Sequence, residues 1–452
     1  MNDLVHVHEL ITKLASECEK GTISPDYYST NKVFRGLRDD NGNGVLTGLT
    51  NICSVTAKKI VDGVEMPMDG KLYYRGIDVE DLVAGFIKEK RFGFEETVYL
   101  LMFGKLPNQR ELEEFKQLLI SFCSLPPKFT RDIIMKAPSS DMMNALARSV
   151  LMLYYYDDNA DNLSIPNVLR QCLKLIAQFP MLAVYGYHAF NYYENDQSMI
   201  IHQPNLELSY AENILHMLRP NHKFTELEAQ ILDLALVLHA EHGGGNNSTF
   251  TVRVVSSSGT DTYSAMAAAL GSLKGPKHGG ANAMVRYMID DIKAHVKNWD
   301  DDGELADYLS KILRKEAFDK TGLIYGIGHA IYSISDPRAV VFESFVQGLS
   351  KEKGREDEYR LYANIARLAP ELITVQRRMF KGVSANIDFY SGFVYEMLNL
   401  PPELFTPIFA ISRVAGWSAH RIEELITSNR IIRPAYKSVA PITAYIPMSD
   451  RQ

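Results

Sequence analysis

Apolar residues recur at helical intervals along most of the chain. After Thr225 a Thr-x-x-Glu box closes at Glu228, and Leu227, Ile231, Leu234 and Leu238 follow at steps of four, three and four residues. That spacing lines one face of a helix and predicts one running from Thr225 into His239. A second helix is predicted over Phe94 to Phe103. Gly104 and Pro107 interrupt it, and a third resumes with Glu111, Leu112, Phe115, Leu118 and Leu119. Further helical segments fit Asp261 to Leu273, Ala281 to Val296, Leu305 to Glu316, Ala339 to Leu349, Glu358 to Leu368, Ile387 to Leu398 and Thr406 to Leu425.

Strand signals are few and fall near the amino end. Gly42 and Gly44 precede Val45-Leu46-Thr47, and Asp69-Gly70 separates a short run from Leu72-Tyr73-Tyr74, which predicts small β-hairpins. The expected fold is therefore all-α with short N-terminal hairpins. Chain breaks are expected at Asp300 to Gly303 and at Lys351 to Glu358. Gly279-Gly280 and Pro401-Pro402 bracket about 120 residues, enough for a smaller helical domain. We draw the divisions at 1–281 and 396–452 for a larger helical domain and at 282–395 for the smaller one. No internal repeat or low-complexity tract is present.

Composition narrows the class. At about 150 residues per domain, 452 residues hold two or three cores. Hydrophobic residues at 46% and charged residues at 23% are ordinary globular usage, which excludes disorder as the main state. A formal charge of −7 has the wrong sign for gripping nucleic-acid phosphates, so no nucleic-acid partner is expected. Cys18, Cys53, Cys123 and Cys172 form no C-x-x-C pair, which suggests neither a zinc ribbon nor a disulfide framework. The first residues lack a basic region before an apolar one, and no run of 18 apolar residues occurs, so a secretory signal and a membrane span are not expected. A cytoplasmic location is the expectation.

Three histidines sit among glycines. His242 precedes Gly243-Gly244-Gly245-Asn246, His278 lies in Gly275-Pro276-Lys277-His278-Gly279-Gly280-Ala281-Asn282, and His329 ends Gly326-Ile327-Gly328-His329. Glycine lets a ligand approach the backbone, whereas the bland reading is three turns with exposed histidines. Asp388, in Asn386-Ile387-Asp388-Phe389-Tyr390-Ser391-Gly392, reads either as a carboxylate made basic by aromatic neighbours or as a helix N-cap. Arg338, Arg413 and Arg433 are each either solvated or shaped to grip a carboxylate through paired hydrogen bonds. His239 and His242, with Glu241 between them, offer a metal reading. Yet His-Ala-Glu-His is not H-E-x-x-H, and no third ligand has diagnostic spacing, so no metal is expected. Gly322, Gly326 and Gly328 match neither a Walker loop nor a dinucleotide fingerprint.

Taken together, these segments resemble the citrate synthase family in order, spacing and residue type. His278 follows His242 by 36 residues, Arg338 follows His329 by 9, and Arg433 follows Arg413 by 20. The resemblance extends to Gly48-Leu49-Thr50, Tyr74-Arg75-Gly76-Ile77 and the Glu95 to Pro107 region, and so to nearly the whole chain. It implies a transferase that condenses acetyl-CoA with oxaloacetate and hydrolyses the citryl thioester to citrate and CoA, a step of the tricarboxylic acid cycle.

The same resemblance implies the roles. Asp388 matches the base that takes a methyl proton, His278 the group that hydrogen-bonds the thioester oxygen, and His329 the proton donor to the oxaloacetate carbonyl. His242, Arg338, Arg413 and Arg433 match the residues that hold oxaloacetate, with Arg433 reaching in from the partner of a homodimer. Asn246 and Ser248 are expected to set histidine tautomers. Leu323, Ile324, Tyr325, Gly326, Ile327 and Gly328 resemble the stretch that recognises the CoA adenine. A two-domain all-α fold closing over its substrates in a cleft is implied, with CoA thioester as substrate and no other cofactor. Where many bacterial relatives carry basic residues after the second histidine, this chain has Ala330 and Ser333, so Lys277, Lys320, Lys351 and Lys353 read either as substitutes for the CoA phosphate contacts or as solvated lysines. A 2-methylcitrate synthase using propionyl-CoA, an inactive substrate-binding relative, and a metal-dependent hydrolase on His239 and His242 are the competing readings.

Overall fold

The computed structural model describes residues 2–39, 43–329, 331–377, 382–428 and 430–451, with side chains from His6 onward. Contacts divide the chain into two compact units, one of Met1–Thr47 with Arg433–Gln452 and one of Gly48–Ile432. In the first, α1 (Asn2–Glu19) exposes Val7, Leu10, Ile11 and Leu14, and α2 (Pro25–Thr30) follows, with Pro at its first position. Val45 to Thr47 do not form the expected strand; among the described residues their neighbourhood carries a single bridge, Arg38 with Gly44. Gly42 lies outside the described residues.

The second unit opens with a three-stranded antiparallel sheet, β1 (Cys53–Val61), β2 (Val64–Tyr74) and β3 (Ile77–Asp78). Its hairpin turn is Asp62-Gly63, both at positive φ (52° and 79°), the pair of conformations that a two-residue turn matched to strand twist requires. The turn expected at Asp69-Gly70 is thus misplaced, since both residues lie inside β2. Gly70 serves close approach instead. Its N–H lies 3.2 Å from the Ser335 carbonyl oxygen, and a side chain there would run into that oxygen and the Tyr332 ring.

Helices make up most of the rest: α3 (Val79–Lys88), α4 (Phe94–Phe103), α5 (Gln109–Ser121), α6 (Met142–Leu153), α7 (Ile165–Glu194), α8 (Tyr210–Leu218), α9 (Glu226–His239), α10 (Asn247–Ser257) and α11 (Thr262–Leu273). Then come α12 (Ala281–His295), α13 (Asp302–Leu313), α14 (Pro337–Glu352), α15 (Glu356–Arg377), α16 (Ile387–Met397) and α17 (Phe405–Thr427). The expected all-α architecture is found. The Thr225–Glu228 capping box closes α9, with both reciprocal hydrogen bonds formed. Gly104 ends α4 in the left-handed conformation at φ 78°. α15 runs past Leu368 and carries Pro370 inside it, and α14 starts earlier than expected because Asp336 caps it and Pro337 fits its first turn.

The core is built on α7 and α17, which pack against each other and are buried on most faces. α17 also contacts α4, α9 and α10, so the segment leaving α9 faces it across the core. The expected boundaries at 281/282 and 395/396 both fall inside this second unit. Between α13 and α14 a long connection carries residues 323–329, pinned to the segment before α16 by the Ile327–Ala385 bridge and by Gly328 N–H to the Ser384 carbonyl at 2.8 Å.

Candidate functional site

α9 stops at His239, and the next three residues turn into the site. The Glu241 side chain makes that turn. Its Oε1 accepts from Gly243 N–H at 2.6 Å and faces His420 Nε2 at 3.0 Å, while Gly416 on α17 leaves the space it occupies. Arg253 reaches His420 Nδ1 through Nη2 at 2.7 Å, and pairs with Glu423 and Glu424. A guanidinium only donates, so Nδ1 accepts and the His420 proton lies on Nε2, aimed at Glu241. Burial pushes the Glu241 carboxyl up, but His420 and Arg413 outweigh it and hold the group below its ordinary range.

His242 is thereby held buried, its ring edge-on to His329 at 5.0 Å and near Tyr332 at 5.6 Å. Its Nε2 has no partner among the described residues. Desolvation, then the charge of Arg338, pushes its pKa well down, so it is neutral. His329 stacks on Tyr332 at 4.6 Å, and its Nδ1 accepts the backbone N–H groups of Ile331 and Tyr332, each at 3.1 Å. In the neutral ring this leaves the proton on Nε2. Ala330 lies outside the described residues; Ser333 is buried, and Lys353 is paired with Glu228 at 2.6 Å.

His278 precedes α12. Its Nε2 lies 3.0 Å from Ser248 Oγ, which also accepts from Trp417 Nε1–H at 3.2 Å and donates to Asn246 Oδ1 at 3.0 Å. Both residues expected to orient a histidine therefore do touch or adjoin His278, and Trp417 joins them. Desolvation and then Arg413 push the His278 pKa down to about 4, so this ring is neutral as well.

Asp388 sits in the first turn of α16, but the helix cap is Asn386, whose Oδ1 accepts Asp388 N–H at 2.9 Å. Asn386 Nδ2 also donates to the Gly328 carbonyl at 2.8 Å, which ties α16 to the His329 loop. The cap reading of Asp388 fails, and its carboxyl is left for other work. Desolvation pushes its pKa up to about 6 against the opposing pull of Arg338 and Arg413.

Arg338 and Arg413 are both buried. Arg338 is held by Asp336 through two bonds, at 3.0 and 2.7 Å. Arg413 gives Nε–H to the His239 carbonyl at 2.6 Å and lies over Phe409, while its Nη1 and Nη2 find no partner among the described residues. Two buried Nη groups with no partner suit a carboxylate. Arg433 is exposed and belongs to the other compact unit.

In the 323–328 stretch, Gly326 (φ 78°) lies so close to Phe389 that a Cβ would come within 2.8 Å of its Cα, Tyr325 Oη donates to Asp319 at 2.7 Å, and Ile324 is buried. Glu241, which lies between the two histidines of the hydrolase reading, spends its Oε1 on Gly243 N–H and His420. Sequence reasoning missed Asp336, Asn386, His420 and Arg253. An Asn two residues before Asp388 and an Asp two before Arg338 were visible signals for the first two.

A family model described as citrate synthase, C-terminal domain, matches residues 41–435. The chain belongs to the citrate synthase family. It is 36% identical over 396 residues to a citrate synthase of Synechocystis sp., covering 86% of this chain and 90% of that one. It is 32% identical over 429 residues to 2-methylcitrate synthase 1 of Corynebacterium glutamicum, covering 94% and 100%. Among solved structures, the ternary complex of carboxymethyl coenzyme A and oxaloacetate with the Thermoplasma acidophilum citrate synthase superposes with a TM-score of 0.75 at 26% identity, covering 92% of this chain and 99% of that one.

Proposed function

We infer that this chain condenses acetyl-CoA with oxaloacetate and hydrolyses the resulting thioester, giving citrate and CoA. The observation that carries this reading is Asp388, a carboxyl raised to about 6 whose charge is felt by the two buried arginines, in the same unit as three glycine-flanked histidines. A methyl C–H is a very weak acid, so its proton leaves only if the thioester oxygen is stabilised as charge develops there. In this reading Asp388 takes the proton and His278 hydrogen-bonds that oxygen. In the structure the Ser248 hydroxyl donates to Asn246 Oδ1; turned instead to His278 Nε2, it leaves the ring proton on Nδ1, free for the thioester. The enol carbon then attacks the oxaloacetate carbonyl carbon, whose oxygen takes the proton from His329 Nε2. Water cleaves the thioester and releases CoA as the thiol.

Arg413 and Arg338 fit the oxaloacetate carboxylates, with His242 beside them. Arg433 is proposed to enter from the partner of a homodimer, and residues 323–328 to meet the CoA adenine. The lobes 1–281 with 396–452, and 282–395, are proposed to close on the substrates and keep water from the enol. No helix among the described residues is long and apolar enough to cross a membrane; a cytoplasmic location is part of the proposal.

The test is free-thiol release with oxaloacetate and either acetyl-CoA or propionyl-CoA, in the wild type and in Asp388→Asn. Thiol release with acetyl-CoA that is lost in Asp388→Asn supports the reading. Release with neither donor overturns it, and near-normal turnover in Asp388→Asn removes the base. The match to 2-methylcitrate synthase 1 favours one second reading, in which propionyl-CoA is the better donor. One extra methyl is worth only about 1–3 kcal/mol in an apolar pocket, so the ratio of the two rates decides between them.

A further inference from the structure

Asp388, Gly392 and Tyr395 occupy positions i, i+4 and i+7 of α16, one stripe along the helix. Over the middle of that stripe lies α12, with the Asn282 carbonyl oxygen 3.2 Å from where a Cβ on Gly392 would stand. Gly392 therefore lets the first turn of α12 settle between Asp388 on one side and Tyr395 on the other. Asn282 and Tyr395 are both fully buried, at 0% exposure. Among the described residues, Asn282 Nδ2 and Oδ1, Tyr395 Oη and Asp388 Oδ1 all lack a hydrogen-bond partner.

Buried polar atoms without partners are rare, and several in one place share a common cause. Here the geometry supplies it. Helical side chains lean toward the amino end, so the Tyr395 ring points back along the stripe toward Asp388, about 10 Å away along the axis. The two groups do not bond directly, since neither has a partner, yet Tyr395 feels the charge of Asp388, and the Asn282 backbone passes Gly392 between them. A buried hydroxyl, amide and carboxylate left without partners around one helix contact are groups that an ordered water can join.

We propose that Asn282 and Tyr395 are positioning residues for the Asp388 carboxylate, the three side chains sharing one buried water that donates to Asp388 Oδ1. This rests on the reading of Asp388 as the base. The charged and titratable groups that act with Asp388 are Arg338 and Asp336 at the start of α14, Arg413 on α17 and Tyr395 on its own helix; Phe405 of α17 packs on the Tyr395 ring. The arginines supply charge without direction, whereas the water supplies a directed hydrogen bond, which orients the carboxylate and favours its ionised form.

The experiment titrates Asp388 by carboxyl carbon NMR in the wild type, Tyr395→Phe and Asn282→Ala, and records the pH profile of thiol release in parallel. Removing the donor disfavours the carboxylate, so the Asp388 pKa and the acid limb of the profile are expected to move up by about one pH unit in Tyr395→Phe, with the KM for oxaloacetate unchanged. Tyr395→Phe keeps the ring and its packing, so a fold defect is not expected to obscure the result. Unchanged Asp388 titration in both variants overturns the proposal. If instead Asp388→Asn keeps its turnover, the base assignment fails on its own, while the NMR titration still decides whether the three residues are linked.

Discussion

Asp388 has a pKa above that of an ordinary aspartate because water is stripped from it faster than the nearby arginines compensate. As the proposed base, Asp388 works only when ionised, so kcat/KM is expected to fall as pH drops through about 6, and a pH profile measures this directly. The same displacement acts on stability. Between the ordinary aspartate range and about 6 the folded state holds a proton that the unfolded state has released, so stability falls as pH rises across that window. Asp388→Asn is therefore expected to lose thiol release yet melt later than the wild type at pH 8, by about 2–3 kcal/mol at most, with the difference gone near pH 3. Equal melting at pH 8 and pH 3 would show that Asp388 carries no such penalty.

A second residue-scale expectation concerns His420. It lies far from Glu241 in sequence yet joins that carboxylate to the Arg253 guanidinium inside the core. His420→Phe keeps the ring volume but leaves Glu241 short of a donor, and breaking a buried charged network on one side costs about 3 kcal/mol. Denaturant unfolding measures the loss. Because Glu241 also holds Gly243 N–H beside His242, the KM for oxaloacetate is expected to rise several-fold with little change in kcat. A rise confined to stability would place the network outside substrate binding.

Elements meet at the site through glycines whose purpose is contact. Gly70 brings β2 against the Tyr332–Ser335 turn just after His329, and the backbone N–H groups of Ile331 and Tyr332 in turn hold His329 Nδ1. Gly70→Ala is expected to push that turn away, lowering kcat at least tenfold while the far-UV circular dichroism stays helical. Wild-type kcat in this variant would show that the turn absorbs the shift. The helix faces were legible wherever one side is solvated, as in α9 with its capping box. α7 was not, because it is buried nearly all round and carries Pro180 inside, so neither a polar stripe nor a break betrays its length. The hairpin turn was read at Asp69-Gly70 because Asp-Gly is a strong turn signal, but the pair at Asp62-Gly63 took that role. Two equal local signals were separated only by what packs on Gly70.

At the scale of the whole molecule, the proposal places Arg433 of one chain in the site of its partner. Asp388→Asn and Arg433→Ala are each expected to be inactive alone. Denatured together and refolded, they are expected to regain about a quarter of the wild-type activity per site if half the chains pair across and each mixed dimer holds one intact site. Mixing that restores nothing, with a dimer seen by sedimentation, would place Arg433 in its own chain's site. Sedimentation of the wild type as a monomer would remove the crossing altogether.

The sequence by itself determined the helical class, the Thr225–Glu228 cap and the Gly104 stop, which depend on neighbours a few residues apart, and the set of histidines, arginines and the aspartate whose order marks the family. Those are local or ordered signals, and they survive without coordinates. Only the tertiary structure decided that Asp388 is not a cap, that Arg338 is already gripped by Asp336 while Arg413 keeps two donors open, and that His420 and Arg253 stand behind His242. Protonation, tautomer and open hydrogen bonds depend on burial and on partners brought from distant parts of the chain, and a linear pattern carries neither.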